Sequence, residues 1–169
     1  MTPHPTFTIL GGGICGLTTA IALKRIGIRA DVYEARPQFR PLGAGLLLAA
    51  NAMRGYQQLG IAEQLLARGR LLPAFTILDE RGRTIISADA TSIGRKYGLH
   101  NFAIHRADLH EALAVELDPG HIHMGKRASG FSRIGNAVRV QFDDGSTCDT
   151  DYLLAADGIH SAIRRQLLP

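Results

Sequence analysis

Tryptophan is absent, and aromatic residues make up only 6% of the 169 residues. Cysteine occurs twice, at Cys15 and Cys148. Two cysteines make no disulfide framework, and neither has metal-ligand spacing. Both are expected to be small side chains, buried or half-buried. No apolar run has the length of a membrane span, and the longest, Leu42 to Met53, is short and broken by glycine. The opening MTPHPTFTIL lacks the basic n-region and apolar h-region of a signal peptide. The expectation is a soluble, cytoplasmic protein with no membrane partner. Long basic runs are missing as well. The net charge is +4, from 19 basic and 15 acidic residues, but the basic residues are scattered with no interleaved aromatics. A nucleic-acid partner is therefore not expected, while a mild positive excess suits phosphate binding.

The length is that of one domain, and the composition, 46% hydrophobic and 20% charged, is ordinary for a globular chain. Nineteen glycines are many and fit a turn-rich nucleotide-binding fold. Three of them organise the stretch from Phe7 to Glu34. An apolar run at Phe7 to Leu10 reads as a strand. Gly11, Gly13 and Gly16 follow at G-x-G-x-x-G spacing. Leu17, Ala20, Ile21 and Lys24 then recur at helical spacing, Gly27 stops the helix, and a second strand ends in Val32, Tyr33 and Glu34. Gly11 allows the tight turn, Gly13 lets a pyrophosphate approach the backbone, and Gly16 lets the helix pack close to the sheet. The helix N-terminus offers free N–H groups and roughly +0.5 of partial charge to phosphate. Glu34, 23 residues after Gly11, is placed to accept hydrogen bonds from the two hydroxyls of an adenosine ribose. Strand, helix and acid around the glycines point to a dinucleotide site. They leave FAD and NAD both open.

Beyond Glu34, residues 35 to 45 read as a loop carrying Arg36 and Arg40, and Leu46 to Gly69 as helical, with Asn51 as N-cap, a break at Gly60 and a close at Gly69. Leu72 to Leu78 and Thr84 to Ala88 read as a hairpin about Asp79–Gly82, with the turn acids Asp79 and Glu80 solvated, as are Asp143 and Asp144. Ser92 to Asn101 reads as irregular. Phe102 to His105 is expected as a strand, and Arg106 to Leu117 as a helix ended by Pro119-Gly120. His121 to Met124, Ala128 to Ile134 and Ala137 to Phe142 read as an antiparallel meander. Tyr152 to Ala156 reads as a buried strand that runs into Asp157-Gly158, and a last helix starts near Ser161. Strands alternating with helices imply a central parallel sheet with an antiparallel appendage. In such sheets ligands bind beyond the strands' carboxyl ends, so Asp157 is either a ligand-facing acid or a helix cap. His121 and His123 share a strand face, but no third ligand is evident and no metal is expected. Ser161 is not in a G-x-S-x-G elbow, which leaves a hydrolase unsupported.

Four motifs carry a resemblance to a known family. They are GGGICGLTTAIALKRIG with VYEAR, GAGLLLAANAMRGYQQLGI from Gly43, IHRADLHEAL from Ile104, and DYLLAADGIHSAIR from Asp151. Together they resemble the N-terminal part of FAD-dependent monooxygenases of the aromatic-hydroxylase family, of the urate hydroxylase, salicylate hydroxylase and zeaxanthin epoxidase types. The resemblance implies a Rossmann-like FAD-binding domain over residues 1–169, with residues 72–104 contributing the start of a substrate-side hairpin. It implies FAD at Gly11, Gly13 and Gly16, and the ribose at Glu34, followed by Ala35 and Arg36. It also implies flavin near the backbone of Gly45 and Leu47, the pyrophosphate and ribityl chain near Arg106, adenine near Ala128, and a motif shared by FAD and NAD(P)H at Asp157 and Gly158. NAD(P)H would be the reductant, and a small electron-rich molecule the substrate.

Members of that family continue past the point reached by Pro169, with a substrate-covering sheet and a Gly-Asp motif that this sequence lacks. The expectation is a truncated chain without the C-terminal substrate-domain half, self-associating or served by a C-terminal partner chain. No catalytic side chain is assigned. Two rivals remain at this stage: an NAD-dependent Rossmann dehydrogenase, and a non-catalytic fragment or half of a split flavoprotein.

Overall fold

Strand-forming residues at Phe7–Leu10 build β1, buried over three of its four positions, and the parallel sheet is assembled about it. The computed structural model describes residues 4–39, 44–89, 91, 94–95, 98 and 101–168. After β1 come α1 (Ile14–Arg25), β2 (Ala30–Glu34), β3 (Gly45–Leu48), α2 (Ala50–Gln58), α3 (Ala62–Leu66), β4 (Gly69–Leu72), β5 (Ala74–Leu78) and β6 (Thr84–Asp89). Then follow β7 (Asn101–His105), α4 (Arg106–Ala114), a 3-10 turn (Pro119–His121), β8 (Ile122–Met124), β9 (Ala128–Ile134), β10 (Ala137–Phe142), β11 (Thr147–Thr150), β12 (Tyr152–Ala155) and α5 (Ala162–Leu167). Contacts divide the chain into two compact units, Met1–Arg40 with Leu113–Pro169, and Pro41–Ala112.

The first unit holds a sheet of order β12-β1-β2-β8 in which every pair is parallel. Successive side chains of a strand face opposite ways, and β1 is covered on both sides. Ile9 joins Ala20 of α1 and Val32 of β2 in one cluster. Leu10 joins Val140, Phe142 and Ile163 in the other, beneath β10 and α5. A parallel strand buried on both faces is the reason Phe7–Leu10 is apolar throughout rather than alternating. The second cluster is roofed by an antiparallel meander, β9-β10-β11. α5 is tied to it by Gln166, whose Oε1 accepts from Phe131 N at 3.0 Å and whose Nε2 donates to Phe131 O at 2.7 Å.

The meander differs from the expected one. β8 does not belong to it but pairs in parallel with β2, and the third member is Thr147–Thr150. The segment from Ile122 to Met124 has the strand pattern in either setting, and only the register Val32↔Ile122 places it in the parallel sheet. β12 was expected to be buried, yet Tyr152 is 54% exposed, because β12 pairs with β1 alone and lies at the sheet edge.

The second unit is an antiparallel sheet, β3-β7-β4, with α2 and α3. Its core contains Met53, Tyr56, Ile61, Leu65, Phe102 and Ile104. The helical reading of Leu46 to Gly69 is corrected at both ends. Leu46 to Leu48 are extended because they pair with Ile104 to Phe102, a partner more than fifty residues away that outweighs leucine's helical preference. Asn51 is not the N-cap; Ala49 holds that position, and no side chain caps α2. Gly69 opens β4 instead of closing a helix. A Cβ there would lie 2.3 Å from Phe102 Cζ and 2.4 Å from Ala103 O, so the strand passes where only glycine fits. Gly69→Ala is expected to cost about 1–3 kcal/mol, as overpacking does, read as a lower urea midpoint.

The expected strand Leu72 to Leu78 is two strands, interrupted at Pro73, which has no N–H to give a ladder. The hairpin β5–β6 is as expected. Asp79 at its turn is not simply solvated: it accepts from Arg81 N at 2.9 Å, Arg83 N at 2.8 Å and Arg83 Nε at 2.7 Å. Arg40 and most of Ser92 to Asn101 lie outside the described residues.

Candidate functional site

β1 lies between β2 and β12 in the parallel sheet, and in open parallel sheets ligands bind beyond the carboxyl ends of the strands. Gly11 sits there with φ +102, donating its N–H to Tyr33 O at 2.8 Å. A Cβ on Gly11 would lie 2.3 Å from Ala156 O, and one on Gly16 would lie 1.9 Å from Gly11 O. Both glycines are thus demanded by backbone-to-backbone contact. Gly13 is different, since nothing lies within 4 Å of the position its Cβ would take. It caps α1 with no side-chain bond, and no acid occupies the first turn. Among the described residues the helix start therefore faces open space and no side chain caps its N–H groups, the arrangement that receives an anion. Cys15, expected to be at least half-buried, is exposed in this first turn.

Glu34 ends β2 beside the glycine turn. Its Oε2 accepts from Gly12 N at 2.7 Å and its Oε1 from Arg36 N at 2.9 Å. Each carboxylate oxygen retains capacity for a further donor. Gly12 occupies the first variable position of the G-x-G-x-x-G spacing. A Cβ there would lie 3.0 Å from Glu34 Cβ and 3.0 Å from Phe39 Cε1, so the middle glycine of the Gly11–Gly13 run is what lets the acid approach. That unbroken run was the available signal. Ala35 is half-buried and Arg36 is exposed.

Asp157 follows β12 at the same end of the sheet. Its Oδ2 accepts from Ala162 N at 3.0 Å, so the helix-cap reading holds for one oxygen. Its Oδ1 is buried without a hydrogen-bond partner among the described residues. A buried orphan of this kind is costly and calls for a donor. Gly158, at φ +88, is exposed. Asp157, Gly158, Ser161 and Arg164 line a cavity of about 460 Å³. Ser161 is buried and caps α5, its Oγ accepting from Arg164 N at 2.9 Å. Ser161→Ala should lower stability by about 1 kcal/mol through loss of this cap, measurable by urea unfolding.

The first unit thus gathers Gly11, Gly13, Gly16, Glu34, Ala35, Arg36, Asp157 and Gly158 at the carboxyl ends of β1, β2 and β12. Ala128 is elsewhere in that unit, on β9, packed against the Leu10 cluster. Gly45, Leu47 and Arg106 are close together in the second unit: Gly45 pairs with His105, and Arg106 N donates to Ala44 O at 3.3 Å. Leu47 is 61% exposed.

Cys148 and Tyr33, near these residues, are not activated as nucleophiles. Burial pushes the Cys148 thiol above its ordinary value, and burial together with Cys148 pushes up the Tyr33 hydroxyl, so both stay protonated at neutral pH. The histidine pair does have an acid between it: Asp31 Oδ1 lies 3.0 Å from His121 Nδ1 and 3.0 Å from His123 Nε2. Asp31 is ninety residues from His121 in sequence, which hid it. No group among the described residues is disposed to hold a metal. Burial raises the Asp31 carboxyl, but bonds from His123 and His121 outweigh it and leave the pKa below its ordinary 3.8. A depressed carboxyl stabilises the fold above the unfolded value, and this is lost as pH falls through the folded one. Asp31→Asn should therefore be less stable than the parent near neutrality, with the difference closing in acid, as urea unfolding at a series of pH values would show.

Residues 5–168 match the family model described as FAD binding domain. This chain belongs to the FAD-binding domain family. A 3-amino-4-hydroxybenzoate 2-monooxygenase of Streptomyces platensis is 36% identical over 171 residues, covering 99% of this chain and 43% of that protein. The salicylate hydroxylase of Pseudomonas putida is 36% identical over 165 residues, covering 95% of this chain and 37% of that protein. The crystal structure of Klebsiella pneumoniae HpxO complexed with FAD and uric acid superposes with a TM-score of 0.87 at 28% identity, over 98% of this chain and 42% of that one. The chain spans less than half the length of these relatives. FAD is therefore the cofactor of this domain family, and the residues present fit a dinucleotide. The space at Gly13, the uncapped start of α1 and the orphaned Asp157 oxygen each suit a phosphate- and hydroxyl-bearing ligand.

Proposed function

We propose that this chain is the cofactor-holding part of a flavoprotein monooxygenase, which uses NAD(P)H and O₂ to hydroxylate a small aromatic or similarly electron-rich substrate in the cytoplasm. The observation that carries the proposal is the open, uncapped helix start at Gly13 beside the Glu34 carboxylate. The monooxygenase names of the relatives supply the reaction class. The chemistry contributed by bound FAD is hydride acceptance from NAD(P)H and activation of O₂.

The chain's own residues bind and orient in a Rossmann-like crevice. The N–H groups at Gly13 and the start of α1 receive the pyrophosphate. Glu34, already fixed by Gly12 N and Arg36 N, accepts the ribose hydroxyls, with Ala35 and Arg36 alongside. Asp157 Oδ1 takes a donor from a ligand, and Gly158 keeps the backbone beside it free of a side chain. Gly45 and Leu47 offer backbone to the flavin ring, Arg106 a cation to the pyrophosphate, and Ala128 backbone to the adenine. No proton transfer is assigned to the described side chains.

Titration with FAD, followed by quenching of flavin fluorescence with NADH as comparison, tests the reading. Saturable and selective FAD binding supports it, and selective NADH binding replaces it with a dehydrogenase. Glu34→Gln should weaken FAD about tenfold, the loss of one charge-assisted hydrogen bond, and should also lower the urea midpoint, because the amide NH₂ replaces an oxygen that accepts from Gly12 N or Arg36 N.

Self-association is a second, compatible reading. The hairpin β5–β6 exposes Phe75, Ile77, Leu78, Ile85 and Ile86, and grouped apolar surface of this kind marks a contact face. Sedimentation that stays monomeric at high protein concentration would remove it.

A further inference from the structure

The end of the first unit opposite the glycine turn holds a cavity that the cofactor reading does not use. It has a volume of about 280 Å³ and lies where α1 ends and β2 begins. Ala30, which lines it, and Glu34 are four strand steps apart, about 13 Å. Its floor is apolar, formed by Ala20, Ile28, Ala30, Val32 and Leu117, of which Ala20 and Val32 are buried. Its charged rim is Lys24, Arg29 and Asp118, with His121 beside them.

Of the acids near this cavity, Asp31 and Glu116 face histidines or a cation, whereas Asp118 keeps its charge on the rim and is outnumbered there by Lys24 and Arg29. Asp118 Oδ1 accepts from Gly120 N at 2.9 Å. Asp31 is held between His121 and His123, and Glu116 pairs with Arg25 at 3.6 Å. The cations are not neutralised in the same way. Lys24 Nζ donates to a backbone carbonyl, that of Glu116, and neither Lys24 nor Arg29 forms an ion pair among the described residues. Hydrocarbon on the floor, two unpaired cations at the mouth and a volume just under the usual range for small-molecule pockets define the chemistry of an occupant.

We infer that this cavity is a second ligand site, taking a small organic anion whose apolar body lies on Ala20, Val32 and Leu117 and whose carboxylate meets Lys24 and Arg29. The site is separate from the cofactor crevice and does not depend on the flavin reading. A short aliphatic carboxylate fits it, because charge complementarity selects the anion and the floor offers no aromatic partner.

The test is calorimetric titration of the chain with hexanoate, with hexanamide as the uncharged probe of the same shape. Hexanoate should bind saturably, while hexanamide does not bind at concentrations that saturate hexanoate. Lys24→Met with Arg29→Met, both at exposed positions, should weaken hexanoate at least tenfold and leave FAD affinity unchanged. Absence of saturable hexanoate binding would overturn the inference. So would equal binding of hexanamide, retention of full affinity in the double variant, or competition between hexanoate and FAD, which would put the anion in the cofactor crevice.

Discussion

Gly13→Val leaves the chain folded and removes most of its affinity for FAD. The residue adopts φ −78 and ψ −177, an extended conformation open to any side chain, and nothing lies within 4 Å of the new Cβ. The apo protein should lose only the modest cost of a poorer N-cap, about 1 kcal/mol or less. The added side chain instead fills the space where the pyrophosphate would meet the helix start. Losing one or two charge-assisted bonds to a phosphate, at about 1.5–3 kcal/mol each, weakens FAD by roughly 10-fold to 10⁴-fold. Flavin fluorescence titration beside a urea curve separates the two quantities. An unchanged FAD affinity would remove Gly13 from the site, and an unfolded variant would show that the space is needed by the fold.

Gly16→Ala should do the reverse. Its Cβ would lie 1.9 Å from Gly11 O and 3.3 Å from Ile9 Cγ2, so α1 cannot stay where it is. The obstacle is a backbone carbonyl at a turn with φ +102, which is itself pressed against Ala156. No rotamer relieves it, and the helix must lift from β1 over the cluster of Ile9, Ala20 and Val32. The expected loss is at the upper end of overpacking, about 3 kcal/mol, seen without any cofactor present. FAD should recover part of the lost stability by mass action, because it binds only the folded form. Two glycines three residues apart in one motif thus give opposite signatures, one in binding and one in folding.

The pattern of Phe7 to Glu34 was legible from order alone because each part acts locally. An apolar run, a glycine turn, a helical period and a terminal acid are fixed by neighbours a few residues away. Ala128–Ile134 and Ala137–Phe142 were legible for the same reason, with Gly135-Asn136 as their turn. Leu46 to Leu48 were not, since leucine serves a helix as readily as a strand and the deciding partner is β7. Nor was the pairing of β8, which depends on β2. In the site, Glu34 could be named from its spacing. Gly12 could not be seen to position it, because that contact is set by how closely the turn passes the end of β2.

By itself, the amino-acid order determined the strand, glycine turn, helix and strand from Phe7 to Glu34 and the kinship with FAD-dependent hydroxylases. These reside in short-range spacing, where turn sterics and helix period leave few alternatives. Only the tertiary structure decided which glycine is demanded by the fold and which stands open to a ligand. It alone left Asp157 with one oxygen capping a helix and the other without a partner among the described residues, and brought Asp31 between two histidines 90 and 92 residues away. It also set Lys24 and Arg29 over an apolar cavity at the far end of the sheet. Those outcomes depend on distances between segments remote in the chain, which are settled by packing rather than by local preference.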